Sequence, residues 1–172
     1  HDDVYVASGG YGLLTPEDSL LQDRLYLGLG QGRFRRSDGL PKMRTSTGAV
    51  SSLDINADGY PDLVIAGRVM PGQYPQTPQS YLLMNDGQGK FLDVTDQRAP
   101  GLNQMGMVTD ILPVDLNADQ KLDLLVVGEW MPVKVFINAN KQLVDESDKW
   151  ISTSTKGWWN CIQAEDFDKD GD

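Results

Sequence analysis

The chain has 172 residues, with 15 Lys and Arg against 25 Asp and Glu, a formal net charge of −10, and 40% apolar side chains. That apolar share is enough for a core and excludes collagen, coiled coil and outright disorder. The acidic balance argues against nucleic acid or an anionic membrane as the main partner, because phosphate binding needs a basic face.

In chain order, the predicted elements are all short β-strands, read from alternation, β-branched and aromatic content and flanking turn residues. A first unit, residues 1–45, holds strands at 3–7, 25–29 and 33–35, the last two joined by Gly30-Gln31-Gly32. Gly28, Gly30 and Gly32 superficially resemble a phosphate loop, but they sit at a hairpin and no helix follows. A second unit, 46–98, has strands at 49–53, 62–68, 80–84 and 90–94. A third, 99–155, repeats them at 109–114, 123–129, 133–137 and 142–145. The remainder, 156–172, opens with a strand at 160–165. Cys161, the one cysteine, is expected there as a small buried apolar side chain, and one of Trp158 and Trp159 as core between sheets. No segment has helical periodicity of useful length, and none is apolar enough to span a membrane.

Self-similarity is plain. Asp54-Ile55-Asn56-Ala57-Asp58-Gly59-Tyr60-Pro61-Asp62 recurs as Asp115-Leu116-Asn117-Ala118-Asp119-Gln120-Lys121-Leu122-Asp123, and again from Asp166 through Asp168 and Asp170 to Asp172. Units of four antiparallel strands at about 50 to 60 residues predict an all-β fold, a β-propeller, because one blade cannot bury both its faces and must stack on neighbours. The chain holds about three blade equivalents, the first lacking its first strand, and is expected to be part of a larger propeller. Its open strand edges call for the remaining blades, or for edge-to-edge self-association of two copies.

The repeated loops present oxygen ligands at positions 1, 3, 5 and 9 and a backbone carbonyl at position 7. Hard oxygens in that number suit Ca²⁺. The first loop offers Asp54, Asn56, Asp58, the Tyr60 carbonyl and Asp62; the second, Asp115, Asn117, Asp119, the Lys121 carbonyl and Asp123. Glycine at position 6 suits a left-handed turn, and Gln120 there should weaken the second site. The third has Asp166, Asp168, Asp170 and the Asp172 carbonyl but no position 9. An EF-hand would need Glu at position 12, where Ile65 and Val126 stand. Three dications would offset more than half of the net charge, and each would tie the first strand of a blade to the second.

At these residues the sequence resembles the FG-GAP/VCBS repeat family, the integrin-α-like propellers. Asp23-Arg24-Leu25-Tyr26-Leu27 with Gly30-Gln31-Gly32-Arg33-Phe34, and Tyr81-Leu82-Leu83-Met84-Asn85-Asp86-Gly87-Gln88-Gly89-Lys90-Phe91, resemble the strand-turn-strand element of bacterial members related to cartilage acidic protein and UnbV. The literal Phe-Gly and Gly-Ala-Pro signatures are absent. The resemblance implies a seven- or eight-bladed parent, an extracellular, cell-surface or periplasmic location, a role in adhesion or ligand display, and no reaction. The N-terminus has neither a basic nor an apolar leader region, so any export signal is expected to lie outside this sequence.

In antiparallel blades the connections from strand 2 to 3 and from 4 to the next 1 lie on the face opposite the acidic loops. They are long and variable, as binding loops are. Tyr11, Arg68, Tyr74, Trp130, Trp158 and Trp159 are the candidates to stack on a sugar or anchor a protein side chain. One histidine, His1, and one cysteine exclude Ser-His-Asp, Cys-His and ordinary zinc sites. The residues thus point to a non-enzymatic module binding protein or glycan. A polysaccharide hydrolase or lyase on the same scaffold, and a purely architectural spacer, remain open beside it.

Overall fold

The computed structural model describes residues 1–169. They form three antiparallel sheets. The first contains β1 (Val4–Val6), β2 (Arg24–Gly30) and β3 (Arg33–Ser37), in that order. The second is β4 (Ser46–Leu53), β5 (Asp62–Val69), β6 (Tyr81–Asn85) and β7 (Phe91–Asp93). The third is β8 (Met107–Val114), β9 (Asp123–Met131), β10 (Lys134–Ala139) and β11 (Gln142–Asp145), with the two-residue β12 (Gly157–Trp158) on the far end of β9.

The sheets stack because their middle strands are apolar on both sides. In β5, Leu63 and Ile65 join Met43 and Leu83, with Tyr5, Leu40, Val50, Tyr81 and Phe91 around them, between the first and second sheets. The alternate residues Val64 and Ala66 join Leu53, Leu82, Val108, Leu124, Val126 and Phe136 between the second and third. Each fully buried Val, Leu or Phe of this kind contributes roughly 1.5–3 kcal/mol. The result is an all-β, partial β-propeller. Among the described residues no helix is long and apolar enough to cross a membrane.

β4 and β8 begin earlier than the alternation predicts. Both contain a register shift, at Gly48 and at Thr109, and the extra residue breaks the period-2 pattern that marks a strand. Gly48 also sits where β4 meets β8: a Cβ there would stand 2.2 Å from the Val108 carbonyl oxygen.

Two helical turns, α1 (Thr95–Arg98) and α2 (Ser147–Trp150), escaped the periodicity because each is four residues long. Both follow an Asp-x-Thr/Ser pattern. Thr95 N and Oγ1 donate to Asp93 Oδ1, and Leu82 N donates to Thr95 Oγ1. Ser147 N and Oγ donate to Asp145 Oδ1, and Val135 N donates to Ser147 Oγ. The hydroxyl thereby satisfies a strand N–H that would otherwise be buried without a partner.

The expected strand at 160–165 is not formed. No second strand of that blade accompanies it among the described residues, so alternation alone gives it no ladder. Gly157–Trp158 pairs with β9 instead. Cys161 is consequently exposed rather than buried. Trp158 and Trp159 are also both exposed, so neither is core.

Candidate functional site

The two complete acidic loops fold alike. In the first, Asp58 N donates to Asp54 Oδ1 and Asn56 Oδ1, Gly59 N to Asp54 Oδ2, and Tyr60 N to Asp58 Oδ1, all between 2.8 and 3.1 Å. In the second, Asp119 N donates to Asp115 Oδ1 and Asn117 Oδ1, Gln120 N to Asp115 Oδ2, and Lys121 N to Asp119 Oδ1. The side chains at positions 1, 3 and 5 are therefore drawn inward onto the N–H groups of their own loop. Position 6 is left-handed in both, at φ 86° for Gly59 and 68° for Gln120. Position 4 is left-handed too, at Ala57, Ala118 and, in the third loop, Lys169. Nothing in the residue types Ala or Lys signals that conformation; the repeated loop geometry imposes it.

Position 9 has a different role from the rest. Asp62 is fully buried and accepts from Ile55 N at 3.0 Å and Asn85 N at 2.8 Å, joining the loop to β6. Asp123 is equally buried and accepts from Leu116 N and Asn138 N at 3.0 and 2.8 Å. Asp3 accepts from Gly28 N in the first sheet, at the matching place. Burial pushes the Asp62 carboxyl up; the Asn85 and Ile55 bonds hold it partly down, and the charges of Asp58 and Asp54 add to the rise. In the second loop Lys121 Nζ lies 2.7 Å from Asp119 Oδ2 and holds that carboxyl below the usual range.

As placed, no three acidic, His or Cys side chains of the described residues form a group that could hold an ion. The donors themselves are all hard oxygens, and a carboxylate oxygen with one N–H bond keeps a second lone pair. The buried Asn138 amide, next in space to Asp123 through its N–H, has neither Oδ1 nor Nδ2 hydrogen-bonded. In the third loop Asp166 and Asp168 are exposed, while Asp170 and Asp172 lie outside the described residues.

At the other end of the strands, the structure brings the aromatic candidates together. The Tyr11 and Tyr74 rings meet edge to face, centroids 6.4 Å apart. Trp130 Nε1 donates to Tyr74 Oη at 2.7 Å, and the Trp130 and Trp158 rings meet at 4.9 Å and 70°. All four are exposed. Arg68 Nη2 stands 2.6 Å from Oε1 of the buried Glu129, linking β5 to β9 beneath them. Trp159 is fixed beside this group, with Nε1 donating to the Thr155 carbonyl and its own carbonyl accepting from Thr109 Oγ1.

A cavity of about 510 Å³ opens here, lined by Tyr74, Met105, Met107, Glu129, Trp130 and Met131. Trp130 has φ 58°, a left-handed conformation that costs a bulky residue roughly 1–3 kcal/mol and collects at ligand sites. Glu129 and the methionines were not among the sequence candidates. Read from sequence alone, apolar residues such as Met105, Met107 and Met131 signal core, and all three are buried.

A family model described as FG-GAP-like repeat matches residues 54–126 and 115–172, each match starting on the first aspartate of an acidic loop. No curated protein and no solved structure matches the chain.

Proposed function

The chain belongs to the FG-GAP-like repeat family, and from that premise we propose that it is a non-enzymatic, calcium-stabilised binding module of an exported or cell-surface protein of bacterial type. It receives a protein or glycan ligand on the face opposite the acidic loops. The observation that carries this reading is the contiguous series Tyr11, Tyr74, Trp130 and Trp158, exposed beside a cavity and held partly by a left-handed tryptophan. Exposed aromatic rings in contact with one another offer large, rigid area at low entropic cost.

Asp54, Asn56, Asp58 and Asp62 with the Tyr60 carbonyl would hold calcium in the first loop. Asp115, Asn117, Asp119 and Asp123 with the Lys121 carbonyl would do so in the second, and Asp166 and Asp168 begin the third. Bound calcium supplies countercharge to carboxylates that otherwise repel one another. Asp62 and Asp123 transmit that order to the next strand through the N–H groups of Asn85 and Asn138.

The test compares the chain with Trp130→Gly on arrays of glycans and of secreted proteins, in Ca²⁺ and in EDTA. Glycine accepts φ 58° without strain, so the variant folds and removes only the indole. Binding by the parent chain in Ca²⁺, lost in Trp130→Gly, is the expected result. Release of sugar from a polysaccharide panel would replace this reading by the enzymatic one. Binding to an uncharged glycan or to a protein of either array that Trp130→Gly retains would overturn the assignment of the face.

A further inference from the structure

Charge is unevenly placed in this acidic chain. Residues 24–44 contain Arg24, Arg33, Arg35, Arg36, Lys42 and Arg44, six of the 15 basic residues, against the single acid Asp38. The register of the β2–β3 hairpin sets Tyr26 opposite Arg36, so Arg24, two residues from Tyr26, shares a sheet face with Arg36. The segment after β3 then folds back over the strand ends. Met43 N donates to Gln22 Oε1 at 2.9 Å, Gln22 Nε2 donates to the Pro41 carbonyl at 3.1 Å, and the Met43 side chain is buried in the core between the first two sheets. That return brings Lys42 and Arg44 to the same place. A cavity of about 350 Å³ results, lined by Arg24, Arg36, Lys42 and Arg44 together with Asp23 and Asp38.

Neither acid neutralises the four cations. Asp23 is 3% exposed, and its oxygens accept from Tyr5 Oη, Ser8 N and Thr47 Oγ1 at 2.6 to 2.8 Å, on the inner side of the sheet. Asp38 is exposed, and none of the four cations is in an ion pair among the described residues; the ion pairs there are Arg68 with Glu129, Lys121 with Asp119, Lys134 with Asp145, and Lys149 with Glu146. Four like charges around one concavity, in a molecule rich in carboxylates that could have paired with them, make a local positive potential that an anion would relieve.

We propose that this cavity is an oxyanion-binding site, taking a sulfate, phosphate or carboxylate group. The planar forks of Arg24, Arg36 and Arg44 match two oxygens of such a group at once, and Lys42 adds a point charge. The site lies where the connection into β2 and the connection out of β3 meet, at the end of the strands that carries the aromatic series. An acidic polysaccharide is therefore the source of the anion that this placement favours over a free inorganic ion. The proposal stands on the charges alone and survives if the aromatic face binds nothing.

The chain is titrated at constant ionic strength with sulfated dextran, neutral dextran, inorganic sulfate and inorganic phosphate, followed by calorimetry. Sulfated dextran is expected to bind at least about tenfold more tightly than neutral dextran, a difference near 1.4 kcal/mol. The doubly exposed pair Arg36→Gln with Arg44→Gln is expected to erase that preference at an unchanged melting temperature, Asp38→Asn to strengthen it, and Trp130→Gly to leave it alone. Saturation by inorganic sulfate or phosphate as tight as by the polymer keeps the site and makes a free ion its source. Equal binding of the two dextrans with no inorganic ion bound, or a preference that persists in the double variant or disappears in Trp130→Gly, overturns the proposal.

Discussion

Replacing Asp62 by alanine separates what the ninth loop residue does for the fold from what the proposed calcium would do for the loop. The carboxylate is fully buried and accepts from two backbone N–H groups, those of Ile55 and Asn85. Alanine leaves both donors without a partner, at about 1–3 kcal/mol each, or roughly 2–6 kcal/mol together. For a chain of this size that lowers Tm by at least about 5 °C. Asp58 is exposed and accepts from Tyr60 N and Asn56 Nδ2 in exposed bonds, donors that water can satisfy in its absence, so Asp58→Ala costs about 1 kcal/mol. Both melts are run in EDTA, then with Ca²⁺, where a site filled at a hundredfold excess over Kd adds about 2.7 kcal/mol. Asp62→Ala is expected to lose stability already in EDTA, and Asp58→Ala to lose mainly its gain from calcium. Asp62→Asn does not rescue, because its amide turns a donor onto one of the two N–H groups. Equal losses for the two alanine variants in EDTA would refute the argument that Asp62 is a structural staple whether or not calcium binds.

Three further outcomes follow from the geometry. Gln120→Gly removes a side chain from a left-handed position and is expected to raise the urea midpoint in EDTA by an amount equivalent to about 1 kcal/mol. Gly48→Val places carbon against the Val108 carbonyl and is expected to cost about 3 kcal/mol in the same assay. For acid dependence, burial raises the Asp23 carboxyl more than the bonds from Tyr5, Ser8 and Thr47 lower it. Its stabilising share is therefore present below the unfolded value near 4 and lost as pH rises through the folded one. Burial also acts to raise Asp145, but Lys134 and Ser147 outweigh it and hold that group low, so its share is lost as pH falls below about 4. Urea midpoints for Asp23→Asn between pH 4 and 7 should accordingly decline less with pH than those of the parent chain.

What was legible in the sequence was local or periodic. The aspartates at 54, 115 and 166 announced the repeat, and alternation located eleven strands to within a few residues, because each strand's burial depends on its own neighbours in sequence. Strand 160–165 failed for the converse reason: alternation describes a willingness to pair, and pairing needs a partner strand. The exposure of Cys161 followed from that. The carboxylates of Asp62 and Asp123 were visible as part of the repeat, but their bonds to Ile55 and Asn85, or Leu116 and Asn138, depend on how the loop meets the next strand. The aromatic face was legible from topology, since loops at one end of antiparallel strands share a face. The cationic cavity was not, because residues 24, 36, 42 and 44 meet only through the fold of the 38–45 return, and Arg36 alone reads as a solvated strand end.

β5 gives alternate residues to two different cores, and this has a consequence for how the molecule comes apart. Detaching either neighbouring sheet exposes half of β5's apolar side chains at once, which weakens its hold on the sheet that remains. Opening should then propagate sheet to sheet as nearest-neighbour units do, with little independent melting. Amide protons of Val64 and Ile65, whose side chains pack on opposite sheets, would exchange at one shared rate that reports the cooperative opening of the whole stack.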